Sequence, residues 1–282
     1  MSQSQTDRAT NAPGESYIHG YSDEFQRLHG QRTAALEAGF FLPYLRAGMD
    51  LVDCGCGPGS ITLDLATLVA PGSVVGIDVA QRQLDYARAL AAQRGVPNVR
   101  FEPGDVYAMP FPDASFDAAF AHNLLQHVRD PLRALRETRR VLKPGGVVGI
   151  QDDDWGAYLW EPATPLLRRG LELFLKVAEA NGAGFFYARH QKRRLREAGF
   201  VRVEGYAMAR SNGTPERLGL FVEAAVRQFQ DPAFVATVLE HGWADQETLD
   251  ALPATIRAWA RDPDAYRAIL CPAAVGWVAC EE

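Results

Sequence analysis

Strand-like and helix-like segments alternate from about residue 49 to residue 154, and this alternation limits the possible folds more than any other feature of the sequence. Strands are predicted from short apolar runs at residues 49–55, 73–80, 98–106, 116–125 and 145–154. Helices are predicted from the amphipathic segments between them, at residues 61–70, 81–95 and 130–142. Strands that alternate with helices over short links favour an open, mostly parallel sheet with helices on both faces.

The regular alternation weakens after residue 154. Helices are predicted at residues 164–182 and 186–200, and a strand is predicted at residues 201–209. Three helical patterns follow between about residues 215 and 260, and the alternating segment at residues 271–280 is a predicted last strand.

The predicted elements divide the chain into three parts. Residues 1–16 are polar and are expected to form a disordered tail. An N-cap serine begins a predicted helix over residues 22–45. The core, with this N-terminal helical lid, is expected to occupy residues 17–211 and 265–282. Residues 212–264 are expected to form a helical insertion.

Composition narrows the class of protein. The chain has 282 residues, 47% of them hydrophobic, which is enough for one substantial core. Its formal net charge of -6 gives no long-range attraction to nucleic acid or anionic lipid. There is no apolar run of about 20 residues and no apolar signal-peptide core, so a cytoplasmic protein without a membrane span is expected. The cysteines form no CxxC pair and have no histidine at ligand spacing, so a reduced protein without a zinc site is expected.

A glycine-rich loop, DCGCGPGS, follows the first predicted strand. Dinucleotide-binding folds use GxGxxG at this point, but here Gly55, Gly57 and Gly59 give GxGxG, and Ser60 follows. Asp53 would repel a pyrophosphate, whereas its carboxylate suits the ammonium group of an amino-acid ligand. The alternative is a purely structural role, in which the glycines serve only a tight strand-to-helix turn.

Four segments in order resemble the motifs of the class I S-adenosylmethionine-dependent methyltransferases. They are the glycine loop from Asp53 to Gly59, Asp78 at the end of the second strand, residues 104–106 (GDV) and residues 142–146 (LKPGG). The resemblance covers residues 51–154 and continues loosely to the end, and it is closest to small-molecule enzymes of the quinone-biosynthesis and specialised-metabolite type. It implies a Rossmann-like, doubly wound sheet of seven mostly parallel strands with an antiparallel last strand and a helical lid or insertion.

The resemblance also implies S-adenosylmethionine as the cofactor, with S-adenosylhomocysteine as the product. Asp78 is expected to hold both ribose hydroxyls, and the Asp105 carboxylate is expected to accept the adenine amino group. The N-terminal tyrosine segment is expected to fold over the methionine end, although these tyrosines would equally pack the first helix on the sheet. The implied cofactor-binding residues are Tyr17, Tyr21, Asp53, Gly55, Cys56, Gly57, Gly59, Asp78, Val79, Gln83, Gly104, Asp105, Val106 and His122.

Candidate catalytic residues follow from the chemistry of methyl transfer. The protein must align the nucleophile with the methyl carbon and sulfur, and a phenol or alcohol acceptor also needs a base. The candidates are His122, His127, Asp153 and Tyr21. Packing or hydrogen-bonding roles for the histidines stay open. One carboxylate of the segment Asp152 to Asp154 is expected to serve at the ligand-binding edge, and the equal alternative is that two of the three are solvated or cap the next turn.

The expected acceptor is a small aromatic metabolite, such as an indole, phenol or quinol, methylated on carbon or oxygen. Aromatic residues between positions 155 and 187 favour a flat apolar substrate, and fit a core or a subunit contact nearly as well. The [N/D]PP[Y/F] signature of nucleobase-directed enzymes is absent after the fourth strand, which argues against nucleic acid. Gln126 stands where metal-using relatives carry an acidic ligand beside a histidine, so no metal is expected.

The insertion is expected to cover the acceptor pocket, to contact a second subunit, or to do both. Two other function classes remain open. One is a protein of the same fold that uses S-adenosylmethionine for non-methylating chemistry or for regulation, and the other, more remote, is an NAD-binding oxidoreductase.

Overall fold

The computed structural model describes residues 30–280 of the chain. Within that range the centre is a sheet of eight strands: β1 Leu51–Cys54, β2 Val74–Asp78, β3 Val99–Pro103, β4 Phe116–His122, β5 Leu142–Gln151, β6 Asp154–Glu161, β7 Arg202–Asn212 and β8 Tyr266–Trp277. The strand order is β3–β2–β1–β4–β5–β8, with β6 and β7 also paired to β8. β1 to β5 pair in parallel and β8 is antiparallel to its neighbours. The predicted α/β class with an antiparallel last strand is therefore confirmed.

Helices connect and cover these strands. Their bounds are α1 Ala34–Glu37, α2 Ser60–Val69, α3 Gln81–Arg94, α4 Pro131–Val141, α5 Pro165–Ala180, α6 Gln191–Glu197, α7 Pro215–Gln230, α8 Pro232–Glu240 and α9 Gln246–Trp259. Short 3-10 turns occur at Leu42–Tyr44, Leu125–His127 and Ala188–His190. In the part of the chain that the structure describes, none of these helices combines the length and the apolar character that crossing a membrane requires.

Both faces of the parallel sheet are buried because successive strand residues point to opposite sides. Val52 and Val75 pack in one cluster with residues of α4 and α6. Their chain neighbours Leu51 and Val74 pack in a second cluster with α2 and Phe41. This two-sided burial explains why the central strands appear in the sequence as continuous apolar runs rather than as alternating ones.

The sheet has one strand more than the predicted seven. β6 directly follows β5, and the two strands lie end to end along one edge of β8. The sequence WGAYLW was interpreted as an aromatic cluster at the substrate edge, but it also alternates along a strand. β8 begins at Tyr266 rather than at Cys271, and β7 ends at Asn212 rather than at Ala209. β6, β7 and the first half of β8 therefore extend past the carboxyl end of β5.

Four helices, α5, α7, α8 and α9, pack on this extension, and we call them the roof. Each begins with a side-chain cap, in which Thr164, Thr214, Asp231 or Asp245 accepts a bond from a backbone N–H of the first turn. The roof has its own apolar core, which includes Leu173, Val226 and Leu252 and against which Trp155 and Trp160 of β6 pack. β6 thus joins the roof to the sheet.

The predicted helix over residues 22–45 was wrong in its described part. Gly30 is helical, but between residues 31 and 45 only Ala34–Glu37 is α-helical, and a 3-10 turn follows at Leu42–Tyr44. A Cβ at Gly39 would lie 2.8 Å from the Ala35 carbonyl oxygen, and Pro43 lacks the N–H that a helix needs. Residues 22–29 lie outside the described residues.

Candidate active site

A cavity of about 780 Å³ lies where β1, β2, β4 and β5 end, beneath the roof. Of the residues predicted as functional, it is lined by Asp53, Gly55, Cys56, Gly57, Asp78, Val79, Gln83, Gly104, Asp105, Val106, His122, His127 and Asp153. We call the side next to β1, β2 and β3 the glycine-loop half and the side next to β6, β7, β8 and the roof helices the roof half. Tyr17 and Tyr21 lie outside the described residues.

The glycine loop turns sharply between β1 and α2. Gly55, Gly57 and Gly59 all have positive φ, at 70°, 53° and 79°, a region that side-chain-bearing residues rarely adopt. A Cβ at Gly57 would meet nothing within 4 Å, so its backbone borders open space. Gly59 differs from the prediction, because it does not line the cavity. A Cβ there would lie 2.8 Å from both Ala87 and Phe101, so Gly59 serves close packing of α2 instead.

Asp53, at the end of β1, is a buried carboxyl group with one hydrogen bond from a side chain. It is 3% exposed, and its Oδ2 accepts a bond of 2.6 Å from the Thr62 hydroxyl. Burial, helped by the nearby Asp78 carboxylate, raises the pKa of Asp53 to about 7 despite the Thr62 bond. A buried carboxyl of this kind is stabilised in its charged form by a cation, and the ammonium of an amino-acid ligand would supply one.

Asp78 is fixed at the end of β2 by backbone amides. Its Oδ2 accepts from the Gly57 N–H at 3.0 Å and its Oδ1 accepts from the Ala80 N–H at 2.9 Å. Burial raises its pKa despite these bonds. Each carboxylate oxygen can accept more than one hydrogen bond, so both can still accept from a ribose diol.

The remainder of the glycine-loop half offers acceptors and apolar surface. Gln83 is 4% exposed, and its buried Oε1 has no hydrogen-bond partner in the described part of the chain. Asp105 is exposed, and its Oδ1 accepts from the Tyr107 N–H at 2.8 Å. Val79 is 39% exposed beside them. An unpaired buried acceptor, a fixed carboxylate and an open glycine backbone together fit a nucleoside carrying an amino acid.

At the end of β4, His122 contacts a carboxylate that the sequence analysis did not single out. His122 is 8% exposed, and its Nε2 lies 3.1 Å from Oε2 of Glu37 on α1. Burial lowers the pKa of His122, so the imidazole is neutral near pH 7. Burial alone would raise the pKa of Glu37, but the Arg210 guanidinium and His122 hold it well below its usual range.

Arg210 joins that pair to Asp153. Its Nη2 donates to Glu37 Oε2 at 3.1 Å and its Nη1 donates to Asp153 Oδ2 at 2.9 Å. The Cys271 thiol lies 3.4 Å from the other Asp153 oxygen. Burial would raise the pKa of Asp153, but Arg210 and Arg32 lower it, so Asp153 is an ionised partner of Arg210 rather than a free base.

The neighbouring carboxylates are structural, and neither is solvated. Asp152 is fully buried and accepts from the Gln126 N–H and from Gln191 Nε2, at 3.2 and 2.9 Å. Asp154 forms a two-point ion pair with Arg189, at 2.9 and 2.6 Å. The alternative that two of the three carboxylates are solvated is therefore wrong, because all three are buried. The capping alternative holds for Asp154, whose Oδ1 also accepts from the Gly156 N–H of the following turn at 3.0 Å.

His127 and Gln126 also line the cavity. Gln126 Nε2 is 3.3 Å from His127 Nε2, and the His127 ring lies edge-on to Phe185 at 5.5 Å. Between residues 30 and 280 no group of three or more His, Cys, Asp or Glu side chains is placed to hold a metal ion.

Aromatic rings form one wall of the roof half. Trp155 stacks on Tyr158 at 5.5 Å, and Tyr158 stacks on Trp160 at 5.5 Å, so the cavity side of β6 is a continuous aromatic surface. Phe185 stacks behind Trp155 at 5.1 Å. Phe186 is 48% exposed and does not line the cavity.

Three charged residues that line the cavity were not predicted from the sequence: the buried Glu37 and Arg267 and the half-buried Arg210. Arg210 and Arg267 lie on β7 and β8, but both fall outside the predicted strands at residues 201–209 and 271–280. Glu37 gave no local signal, because it resembled the polar face of a surface helix.

Comparison with known proteins identifies the chain's family. A family model described as a methyltransferase domain matches residues 52–150. The 27-O-demethylrifamycin SV methyltransferase of Amycolatopsis mediterranei is 35% identical over 66% of this chain and 66% of its own length. The demethylmenaquinone methyltransferase of Staphylococcus aureus is 32% identical over 56% of this chain and 70% of its own length. The chain spans about half the length of the first curated relatives that it matches.

The solved structure of the [4+2]-cyclase SpnF is also similar. It has a TM-score of 0.51 and 26% identity, and the match covers 92% of this chain and 82% of that one. The residues of the glycine-loop half fit the cofactor of the methyltransferase family, because they offer a partner for its ammonium, ribose and adenine groups. The chain belongs to the class I S-adenosylmethionine-dependent methyltransferases.

Proposed function

We propose that the chain transfers a methyl group from S-adenosylmethionine to oxygen or carbon of a small aromatic metabolite, a phenol, quinol or indole. The observation that carries this proposal is the pair formed by His122 and Glu37 at the aromatic side of the cavity. When bound, S-adenosylmethionine supplies a methyl carbon activated by the attached sulfonium. The protein's own task is to bind the acceptor, orient it and accept a proton.

His122 is suited to accept that proton. Glu37 is ionised, so the neutral imidazole places its N–H on Nε2, facing the carboxylate. Nδ1 then carries the lone pair, and it makes no hydrogen bond within the described part of the chain. Since His122 lines the cavity, Nδ1 can take the proton of an acceptor hydroxyl as the new oxygen–carbon bond forms. The same proton removal makes a phenol ring carbon more nucleophilic.

Arg210 and Asp153 support this role. Arg210 keeps Glu37 charged, and a charged Glu37 fixes the tautomer and the orientation of His122. Asp153 holds the other end of the guanidinium, so the group cannot rotate away from Glu37. These residues position the base and need not touch the acceptor.

The aromatic wall supports a flat acceptor. The rings of Trp155, Tyr158 and Trp160 can stack against a planar substrate and exclude water from the reacting atoms. The roof helices close the same space from above, and Phe221 and Phe229 of α7 line it. Both contributions would align an acceptor at about 3 Å from the methyl carbon, as methyl transfer requires.

The test is a turnover assay with a panel of phenols, quinols and indoles, in which S-adenosylhomocysteine and methylated product are both quantified. His122→Asn should abolish most turnover with an active acceptor, and Glu37→Gln should lower it less. His127→Asn is the matched control, because His127 is a second histidine of the same cavity, with its Nε2 3.3 Å from Gln126 Nε2. A loss confined to His127→Asn would reassign the base, and the absence of methylated product from every acceptor class would overturn the proposal.

A second candidate is non-methylating chemistry in the same fold, with the cofactor retained as a structural element. It is favoured by the similarity to the [4+2]-cyclase over 92% of the chain. Substrate conversion without formation of S-adenosylhomocysteine would support this candidate against methyl transfer.

A further inference from the structure

Arg267 is a buried cation in the roof half that has no part in the base assembly. It is 8% exposed and lines the cavity from β8. Its register partners are Asn212 on β7 and Trp160 on β6. Paired residues on neighbouring strands place their side chains on the same face, so these three form one row across the extension of the sheet.

The contacts of Arg267 are all with neutral groups. Its Nη1 donates to Asn212 Oδ1 at 2.7 Å, and its Nε donates to the Tyr158 hydroxyl. The guanidinium lies over the rings of Tyr158 and Phe221, at 4.6 and 4.2 Å from their centres. Among residues 30–280 it forms no ion pair, and its Nη2 makes no hydrogen bond.

The carboxylates of the roof half are bonded to another arginine. Arg210 forms ion pairs with Glu37 and Asp153, and Arg32 also acts electrostatically on both carboxylates. Asp153 acts on Arg267 through its charge, but within residues 30–280 it forms no hydrogen bond or ion pair with the Arg267 guanidinium. Burial lowers the pKa of Arg267 to about 10, so it remains charged at neutral pH. An unpaired buried charge is costly, which indicates that an anion completes the site.

A second donor stands in the same row. The indole Nε1 of Trp160 is buried and has no hydrogen-bond partner in the described part of the chain, and Trp160 lines the cavity. An indole N–H can only donate, so it needs an acceptor. Arg267 Nη2 and Trp160 Nε1 are therefore both donors without an accepting oxygen in the described part of the chain.

The cofactor is poorly placed to supply that oxygen. The motifs expected to bind the cofactor lie at the ends of β1, β2 and β3. β8 lies three strands away from β1, in the order β1–β4–β5–β8. Neighbouring strands are about 4.8 Å apart, so the two groups of residues are separated by roughly 14 Å across the sheet. The Arg267 row lies farther still along the extension, on the acceptor's side of the cavity.

We propose that Arg267 and Trp160 bind a carboxylate carried by the acceptor, so that the enzyme selects aromatic acids. This inference rests on the proposed function, since it names the class of its acceptor. A carboxylate matches the planar donors of a guanidinium, and the rings beside Arg267 suit a flat group attached to it. Bound in this way, the acid end is anchored at the roof and the aromatic ring extends toward His122.

The test compares aromatic acids with their uncharged amides. The pairs are 4-hydroxybenzoate with 4-hydroxybenzamide and indole-3-acetate with indole-3-acetamide, titrated by calorimetry into protein saturated with S-adenosylhomocysteine. We expect each acid to bind at least about tenfold more tightly than its amide, because a charge-assisted hydrogen bond contributes that much. Arg267→Gln should remove the preference, and Trp160→Phe, which keeps the ring, should weaken it.

Arg202→Gln is the matched control. Arg202 also lies over an aromatic ring on β8, 4.3 Å from the centre of Trp277, but it is exposed and outside the cavity, so the preference should survive. Equal affinity for acids and amides, or no binding of either acid, overturns the carboxylate site. Tighter binding of phenyl phosphate than of both acids overturns the choice of carboxylate. Failure of S-adenosylhomocysteine to bind would count against the proposed function instead, which keeps the two failures distinct.

Discussion

The two halves of the cavity are built in different ways. The glycine-loop half is made from strand ends and the loops that follow them, and its fixed carboxylate is held by backbone N–H groups. The roof half is made from side chains on distant segments: Glu37 and His122 are 85 positions apart, and Glu37 and Arg210 are 173 apart. We therefore expect cofactor binding to depend on local backbone geometry and acceptor chemistry to depend on long-range packing. The halves should respond separately to mutation.

The largest expected effect is on turnover alone. His122→Asn removes the base and its bond to Glu37, so turnover should fall by about 10²–10⁴-fold, the usual contribution of a general base. The family resemblance also places His122 among the cofactor-binding residues, but affinity for S-adenosylhomocysteine, measured by calorimetry, should stay within about threefold. The reason is that Asp53 and Asp78, which are expected to bind the ammonium and the ribose, are unchanged. A parallel loss of affinity and turnover would show that the halves are not separable.

The converse substitution is Asp78→Ala. It removes two charge-assisted bonds to the ribose, each contributing about 1.5–3 kcal/mol, so S-adenosylhomocysteine should bind at least about tenfold more weakly. It also removes the acceptor for the Gly57 and Ala80 amides, so the melting temperature must be measured beside the affinity. Asp105→Ala is the comparison variant, because that carboxylate is exposed and a smaller loss is expected. Unchanged affinity in Asp78→Ala would contradict the assignment of the glycine-loop half.

A third effect depends on pH. Burial raises the pKa of Asp53 to about 7, so the carboxyl loses its charge as the pH falls through neutrality. Affinity for S-adenosylhomocysteine should therefore decrease from pH 8 to pH 6, approaching tenfold per unit below the pKa. Asp53→Asn should bind more weakly at pH 8 and show a flat profile. A profile with the same slope in Asp53→Asn would assign the proton to another group.

The smallest expected effect tests the roof. A Cβ at Gly170 on α5 would lie 2.8 Å from Leu252 and 3.2 Å from Phe229, so Gly170→Val forces α5 away from α7 and α9. We expect a loss of about 1–3 kcal/mol in unfolding free energy, with lower turnover and nearly unchanged cofactor affinity. Gly219→Val on α7 is the control, because a Cβ there meets nothing within 4 Å. Equal effects of the two variants would mean that roof packing does not set acceptor chemistry.

The two halves of the cavity also differ in how much of each could be predicted from the sequence. The parallel strands follow from the apolar runs, and the residues of the glycine-loop half follow from the resemblance to family motifs, which lie close in sequence to strand ends. Gly59 is an exception, because a glycine needed for close packing cannot be distinguished in the sequence from a glycine that contacts a ligand.

The roof half could not be predicted in this way. Arg267 lies beside Trp160 only because β6 pairs with β8. β6 was not predicted as a strand, because its sequence was interpreted as an aromatic cluster. Glu37 reaches His122 only because the first helix ends early and the chain packs Phe41 on the sheet. Such contacts depend on tertiary packing that no local pattern records.

The most direct test of the two-part site is a crystal structure with S-adenosylhomocysteine. We expect the ribose hydroxyls to lie within about 3 Å of the Asp78 carboxylate, a hydrogen-bond distance, and the ammonium to lie beside Asp53. The sulfur should then face the space between His122 and the aromatic wall, with Arg267 left free for the acceptor. A ribose held elsewhere, or a methionine carboxylate bound to Arg267, would contradict the division of the cavity.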